Sequence, residues 1–358
     1  MPLSAAALPA LVRQAIAGGL AIPAHPLALD GQRRLDVRRQ RALTRYYRDA
    51  GVGGLAVGVH TTQFAIRDVG LYEPVLKLAV ETARGSGGAE LAMIAGLAGR
   101  TDQAVREADI AVGLSYHAGL LSLGAMRDAS EDEIIAHCRA VAERIPLFGF
   151  YLQPAVGGRH LPRSFWKRFC EIDNVIAIKI APFNRYHTID VVHGLVNAQA
   201  EDRITPSTGN DDHIVLDLLT PFVMQRAGEP VTVRIKGGLL GHWSVWTRAA
   251  VEIFAKCKAA AQDGGVPQEL LALDSRVTAM NAALFDVEND FHGCIAGCHE
   301  VLRRQGLLEG IWCLDPAEGL GRGQSEALDR VISDFSDLTD DAFVAGNLSR
   351  WLEGNEQQ

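Results

Sequence analysis

The feature that most constrains this chain is a regular alternation between short apolar runs and helical patterns. Between residues 21 and 240 eight apolar runs recur, at about 21–27, 51–59, 91–99, 110–115, 146–154, 174–182, 203–209 and 231–240. A stretch of helical periodicity separates each run from the next. Strict strand–helix alternation implies a parallel sheet, because parallel neighbours need a crossover between them. Eight units over such a length fit a closed (β/α)8 TIM barrel better than an open sheet. An open sheet would more often carry a glycine-rich phosphate loop after its first strand, and neither common form is present. The chain has 358 residues, 48% of them apolar, which is enough to bury a large core. Beyond Gly264-Gly265-Val266-Pro267 only helical patterns follow, at about 269–286, 291–305 and 325–338, with a polar end at 355–358. The expected organisation is therefore a barrel with an N-terminal helix over 1–262 and a C-terminal helical extension over 263–358.

Composition removes several function classes. The net charge is −8 and no basic face stands out, so nucleic acid is not an expected partner. No run of 18 apolar residues occurs, which argues against a membrane span. The alanine-rich start, residues 1–20, lacks a basic segment ahead of its apolar stretch and reads as a first helix, not a signal peptide. Six cysteines in so long a chain, with no secretory signal, read as reduced thiols, and the expected location is the cytoplasm.

Within this frame one strand draws chemistry. In residues 174–182 the alternation of a strand puts Ile176, Ile178 and Ile180 on one face and Ala177, Lys179 and Ala181 on the other. A buried lysine is expensive unless it is paired or its pKa falls. A lowered pKa is what an amine needs to attack a carbonyl and form a Schiff base. The same alternation in the preceding apolar run sets Phe148, Phe150 and Leu152 on a bulky face. Gly149, Tyr151 and Gln153 occupy the other, which suggests Tyr151 as a proton-relay neighbour of Lys179. Other residues expected at strand ends are His25, Thr61 and Thr62, Tyr116 and His117, the segment from Ser207 to Asp212, and His242.

These motifs resemble the dihydrodipicolinate synthase / N-acetylneuraminate lyase family of class I (Schiff-base) aldolases. Residues 24–31, AHPLALDG, are similar to that family's first strand and turn; residues 58–65, GVHTTQFA, to its Gly-Thr-Thr-Gly-Glu loop. Residues 151–154, YLQP, are similar to its Tyr-Asn-x-Pro; 178–181, IKIA, to its Ile-Lys-Glu-Ala; and 205–212, TPSTGNDD, to its Gly-Asp-Asp segment. The resemblance implies that Lys179 forms an imine with a 2-keto acid such as pyruvate and that Tyr151 shuttles protons. It implies that Thr61 and Thr62 bind the keto-acid carboxylate, and that Gly209 and Asp211 belong to the substrate site. No cofactor or metal is implied, and a homo-oligomer, dimer or tetramer, is the common form.

Departures qualify that picture. Gln63-Phe64 replaces Gly-Glu. Tyr116-His117 stands where many members carry a tyrosine pair, which makes His117 a candidate for the relay. No arginine follows Tyr151-Leu-Gln-Pro154 closely, so a second substrate carboxylate lacks a bidentate donor. The aldehyde half is then expected to be neutral, aromatic or polyhydroxylated, with His242 as one possible contact. A hydro-lyase acting on a sugar-derived keto acid through the same lysine, and a barrel that binds ligand without turnover, remain open. Two other groupings read as weaker candidates. Asp211, Asp212 and His242 could hold a divalent metal; Cys294 and Cys298 with His292 or His299 could hold zinc, and Gly293 and Gly297 at the same spacing suggest a close helix contact, as between subunits.

Overall fold

A computed structural model describes residues 2–85 and 89–353. Its centre is an eight-stranded parallel sheet. The strands are β1 (Ala21–Pro23), β2 (Gly54–Val57), β3 (Ala92–Leu97), β4 (Ala118–Leu121), β5 (Leu147–Leu152), β6 (Val175–Ala181) and β7 (Thr205–Thr208). An antiparallel hairpin, β8 (Pro221–Arg226) and β9 (Glu229–Arg234), precedes the last barrel strand, β10 (Gly237–Leu240). The order β1-β10-β7-β6-β5-β4-β3-β2 is closed by a parallel bridge between Ala24 and Ala56 and by the Gly53 N–H donating to Ala21 O at 3.0 Å. The fold is therefore a (β/α)8 TIM barrel.

Helices α1 (Ala10–Gly18), α2 (Val37–Ala50), α3 (Tyr72–Gly85), α4 (Thr101–Gly113), α5 (Glu131–Ala142), α6 (Arg163–Cys170), α7 (Arg185–Asn197), α8 (Ile214–Leu219) and α9 (Thr247–Asp263) belong to the barrel region. The C-terminal extension comprises α10 (Gln268–Leu284), α11 (Cys294–Arg304), α12 (Gln324–Asp334) and α13 (Asp341–Leu352). Local signals start these helices where capping rules expect. Ser130 and Glu133 form a reciprocal capping box at α5, and Asp36 accepts from the Arg39 N–H at the start of α2.

Two apolar clusters share the barrel wall. The inner one contains Ile22, Ala56, Ile94, Leu120, Phe148, Phe150 and Leu239, and Leu8, Val12 and Ile16 of the N-terminal segment close its lower end. The outer one lies between strands and helices and holds Ile178, Ile180 and Tyr151.

Three elements depart from the sequence expectation. Residues 110–115 are not strand four; they form the end of α4 and its C-terminal turn, and the strand begins at Ala118. The run is apolar enough for either state, and length alone does not arbitrate. The helical stretch expected between the runs at 203–209 and 231–240 stops at Leu219. It gives way to β8, whose Phe222 and Met224 are buried while Pro221 and Val223 are exposed, a period of two. Its turn is Ala227-Gly228, both at positive φ (53° and 88°), the geometry of a tight hairpin. The expected strand over 231–240 is accordingly two strands, β9 and β10. Helix α13 lies beyond the helical patterns expected from the sequence, and the polar end at 355–358 lies outside the described residues. The glycines of α11 serve packing within the chain: a Cβ on Gly297 would stand 2.0 Å from Leu284 O, and one on Gly293 2.0 Å from Gln324 Oε1.

Candidate active site

Strand β6 sets the site. Its register against β5 shifts between Leu147 and Phe148: Leu147 faces Val175, and Phe148 faces Ala177. This bulge turns both Ile176 and Ala177 toward the interior, and the alternation then carries Lys179 and Ala181 inward. Lys179 is 9% exposed. Its Nζ lies 4.6 Å from the centroid of the Phe150 ring and makes no hydrogen bond or ion pair with any described residue. Gly209, just past β7, makes room for its stem: a Cβ there would lie 2.7 Å from Lys179 Cε and 2.8 Å from Ala181 Cβ.

The amine opens on a cavity of about 70 Å³ at the carboxyl ends of the strands, bordered by His60, Thr61, Phe150, Gln153, Asp211 and Phe291. Burial is the main force on its charges. It lowers the Lys179 pKa from 10.5 to about 8, against an upward pull from Asp211. It raises Asp211 to about 7, against the His242 N–H, which donates to Asp211 Oδ1 at 3.1 Å, and against the charge of Lys179. His60 falls to about 4 through burial and then through Lys179, so it is neutral at pH 7. At that pH a lysine with a pKa near 8 holds about a tenth of its population as free amine, roughly 300 times the fraction at 10.5.

Of the residues singled out in the sequence, Lys179, Thr61, Gly209 and Asp211 converge on this cavity. The Thr61 hydroxyl and N–H engage no other described residue. Four others take different places. Tyr151 faces outward: it pairs with Ile180, not Lys179, and packs on Trp166 with ring centroids 5.2 Å apart. Its hydroxyl lies 3.4 Å from His160 Nδ1 and accepts from the Leu161 N–H at 3.3 Å. The small face of β5 reflects helix packing: a Cβ on Gly149 would meet Phe169 Cε1 at 2.6 Å. His117 sits before β4, at the amino end of the barrel. There it contacts Glu90 at 3.4 Å, and the Met93 N–H donates to its Nδ1 at 3.0 Å. This placement of His117 follows from residues 110–115 closing α4 instead of forming a strand. Thr62 uses its hydroxyl to hold the loop, accepting from Gly58 N and Val59 N at 3.0 and 3.2 Å and donating to His25 O at 2.6 Å. His242 directs its ring away, with Nδ1 2.5 Å from Asn281 Oδ1, and touches the site through its backbone.

The same placements bear on the metal readings. His242 is committed to Asn281, and among the described residues no group of three or more His, Cys, Asp or Glu is arranged to hold an ion. Cys294 and Cys298 border the cavity as thiols; burial pushes Cys294 up to about 12.

Other residues around the cavity carry no motif that marks them. His60 precedes the threonine pair and borders the cavity. Gln63, the departure from the glycine of the similar loop, lies behind the cavity lining: it occupies φ 68°, a backbone setting that suits glycine, and its Oε1 accepts from the Leu314 N–H at 2.6 Å, tying the loop to the extension. Phe285 and Phe291 come from the extension, beyond any motif. The bulge in β6 carries no sequence signal of its own, so simple alternation puts Phe150 on the face opposite Lys179, whereas the structure sets its ring 4.6 Å from the amine.

Fold and cavity together define a (β/α)8 barrel with a buried lysine at the carboxyl end of its strands. Comparison with known proteins agrees on the architecture. No family model matches the sequence, and no curated protein matches it. Solved structures do match. A dihydrodipicolinate synthase from Acinetobacter baumannii, complexed with pyruvate, is 18% identical with a TM-score of 0.71, covering 88% of this chain and 98% of that one. The dihydrodipicolinate synthase from Thermotoga maritima is 19% identical with a TM-score of 0.70, covering 89% and 99%. CdNal from Clostridium difficile, in complex with mannosamine, is 15% identical with a TM-score of 0.71, covering 88% and 99%. At these identities the likeness establishes the fold.

Proposed function

We propose that this chain is a divergent member of the dihydrodipicolinate synthase / N-acetylneuraminate lyase family and acts as a Schiff-base lyase of the aldolase type on a 2-keto acid such as pyruvate. The observation that carries the reading is Lys179: a buried amine with a depressed pKa, aimed into a cavity at the end of the barrel where such folds do chemistry. The neighbours in fold include a dihydrodipicolinate synthase solved with pyruvate, which supports the substrate class.

In this reading the free amine of Lys179 attacks the keto carbon, and the carbinolamine loses water to give an iminium. Thr61, with its unused hydroxyl and N–H, receives the carboxylate. The acid–base role cannot fall to Tyr151, which faces the helices, nor to His117, at the opposite end. It falls to Asp211, a carboxyl poised near pH 7 beside the amine, which is where a general acid–base group works best. Asp211 removes the proton from the carbon next to the iminium and returns one later. The backbone N–H of His242 holds its carboxyl in place.

A barrel that merely binds ligand gains nothing from a buried, unpaired lysine, which costs stability. A hydro-lyase for a sugar acid would need partners for several hydroxyls. Thr278 and Asn281 at the cavity mouth already donate to Asp212 O and Asp211 O.

Borohydride reduction in the presence of pyruvate tests the imine, and product analysis with pyruvate and an aldehyde panel tests the bond formed. Trapping without condensation products would favour the hydro-lyase; activity lost to a chelator would favour a metal instead.

A further inference from the structure

The cavity at Lys179 continues outward into a second chamber of about 340 Å³. Gln153, Phe183, Asp211, Phe285 and Phe291 border both. The two chambers differ in character. The inner one, about 70 Å³, is the size of a few water molecules' worth of space around the amine, which suits a small keto acid. The outer one lies in the size range of small-molecule sites and is walled by the C-terminal extension.

Three phenyl rings mark the join. Phe183 and Phe291 meet edge to face with centroids 5.8 Å apart. Both backbones are left-handed, at φ 50° and 65°, a conformation that costs a non-glycine residue of order 1 kcal/mol. Asn210 Oδ1 accepts from the Phe183 N–H at 3.1 Å, which fixes the first ring from the β7 side. Phe285 ends α10 and stands against Gly241, where a Cβ would approach its ring to 3.0 Å. Strained backbone at a site mouth calls for a use for the rings it presents.

The polar groups narrow the occupant. Among the described residues bordering the two chambers there is no arginine, and Lys179 is the lysine that would carry the imine. Asp211 and Asp212 repel a second anion. The Gln153 side chain is buried, makes no hydrogen bond with any described residue, and stands where the chambers meet.

Resting on the imine reading above, we propose that the outer chamber takes an uncharged aromatic aldehyde, with its ring against Phe183, Phe285 and Phe291 and its oxygen on the Gln153 carboxamide. Asp211 takes the proton from the carbon beside the iminium to give an enamine. That carbon then bonds to the aldehyde carbon, and the carbonyl electron pair moves to oxygen, which receives the proton back from Asp211. Hydrolysis of the imine frees Lys179 and a 4-aryl-4-hydroxy-2-keto acid; the reverse direction cleaves it.

The test uses the full chain with pyruvate and, in parallel, benzaldehyde, glyceraldehyde and succinic semialdehyde. Borohydride trapping with pyruvate alone comes first, and an absent adduct on Lys179 removes the imine reading and this assignment with it. Given an adduct, the expected result is at least a tenfold higher kcat/KM for benzaldehyde than for the other two. An adduct with equal or reversed preference overturns the chamber assignment alone. In Phe291→Ala and Gln153→Leu, both checked for native circular dichroism, the benzaldehyde-to-glyceraldehyde ratio falls at least tenfold. An unchanged ratio in both counts against it.

Discussion

Gly209→Ala is the sharpest single perturbation of the site. The new Cβ would lie 2.7 Å from Lys179 Cε, 2.8 Å from Ala181 Cβ and 2.9 Å from Lys179 Cγ. Carbon atoms rest at about 3.5 Å, so roughly 0.8 Å must be recovered. Ala181 is fixed to β6 by its backbone, so the lysine stem gives way and the amine moves by a distance of that order. A misplacement of about 1 Å at a reacting group costs on the order of a hundredfold in rate. The strain itself costs about 1–3 kcal/mol, which leaves the chain folded. Gly18→Ala is the matched control, because nothing stands within 4 Å of its added Cβ. The assay is the rate of borohydride-trapped pyruvate adduct, read by mass spectrometry, beside thermal melts of both variants. The predicted result is a loss of about two orders of magnitude for Gly209→Ala and none for Gly18→Ala. A folded Gly209→Ala protein that traps at the wild-type rate would refute the claim that this glycine positions the amine.

Further outcomes follow from the same geometry. Because folding lowers the Lys179 pKa from 10.5 to about 8, the folded chain binds this proton less well than the unfolded one. Stability therefore rises between about pH 8 and 10.5, and the penalty is fully present below. Lys179→Met should raise stability at pH 7 by up to about 3 kcal/mol while abolishing the adduct; chemical denaturation measures the first. The adduct rate should climb with pH and level off above about 8, where the amine is free. In Asp211→Asn that midpoint should move to lower pH, because the carboxylate raises the amine's pKa; a midpoint that stays or moves up contradicts the coupling. Tyr151→Phe and His117→Gln should trap pyruvate as the wild type does, with Tyr151→Phe losing about 1 kcal/mol from its hydroxyl contacts. A loss of trapping in either would restore the role that the sequence suggested for it.

The alternation of strands and helices made the barrel legible, and the alanines around Lys179 made its inward face legible too. The errors have particular physical causes. Residues 110–115 are apolar in both the strand and the helix reading, and misplacing them carried His117 to the wrong end of the barrel. The small neighbour Gly149 suggests an inward Tyr151, but that space belongs to Phe169, and the register shift at Phe148 has no sequence mark. The outer chamber could not be read at all, because Phe285 and Phe291 reach it only through the packing of the C-terminal helices. Asp211 stands out in the sequence beside Gly209, yet the burial that raises its pKa is supplied only by the fold.

Imine formation between Lys179 and a 2-keto acid is decided by trapping the wild type beside Lys179→Met. The wild type and Lys179→Met are each incubated with pyruvate, reduced with borohydride, digested and mapped by mass spectrometry. The expected result is a single reduced pyruvate adduct on the peptide that carries Lys179, absent from the variant. No adduct, or an adduct that persists on another lysine in Lys179→Met, would contradict it.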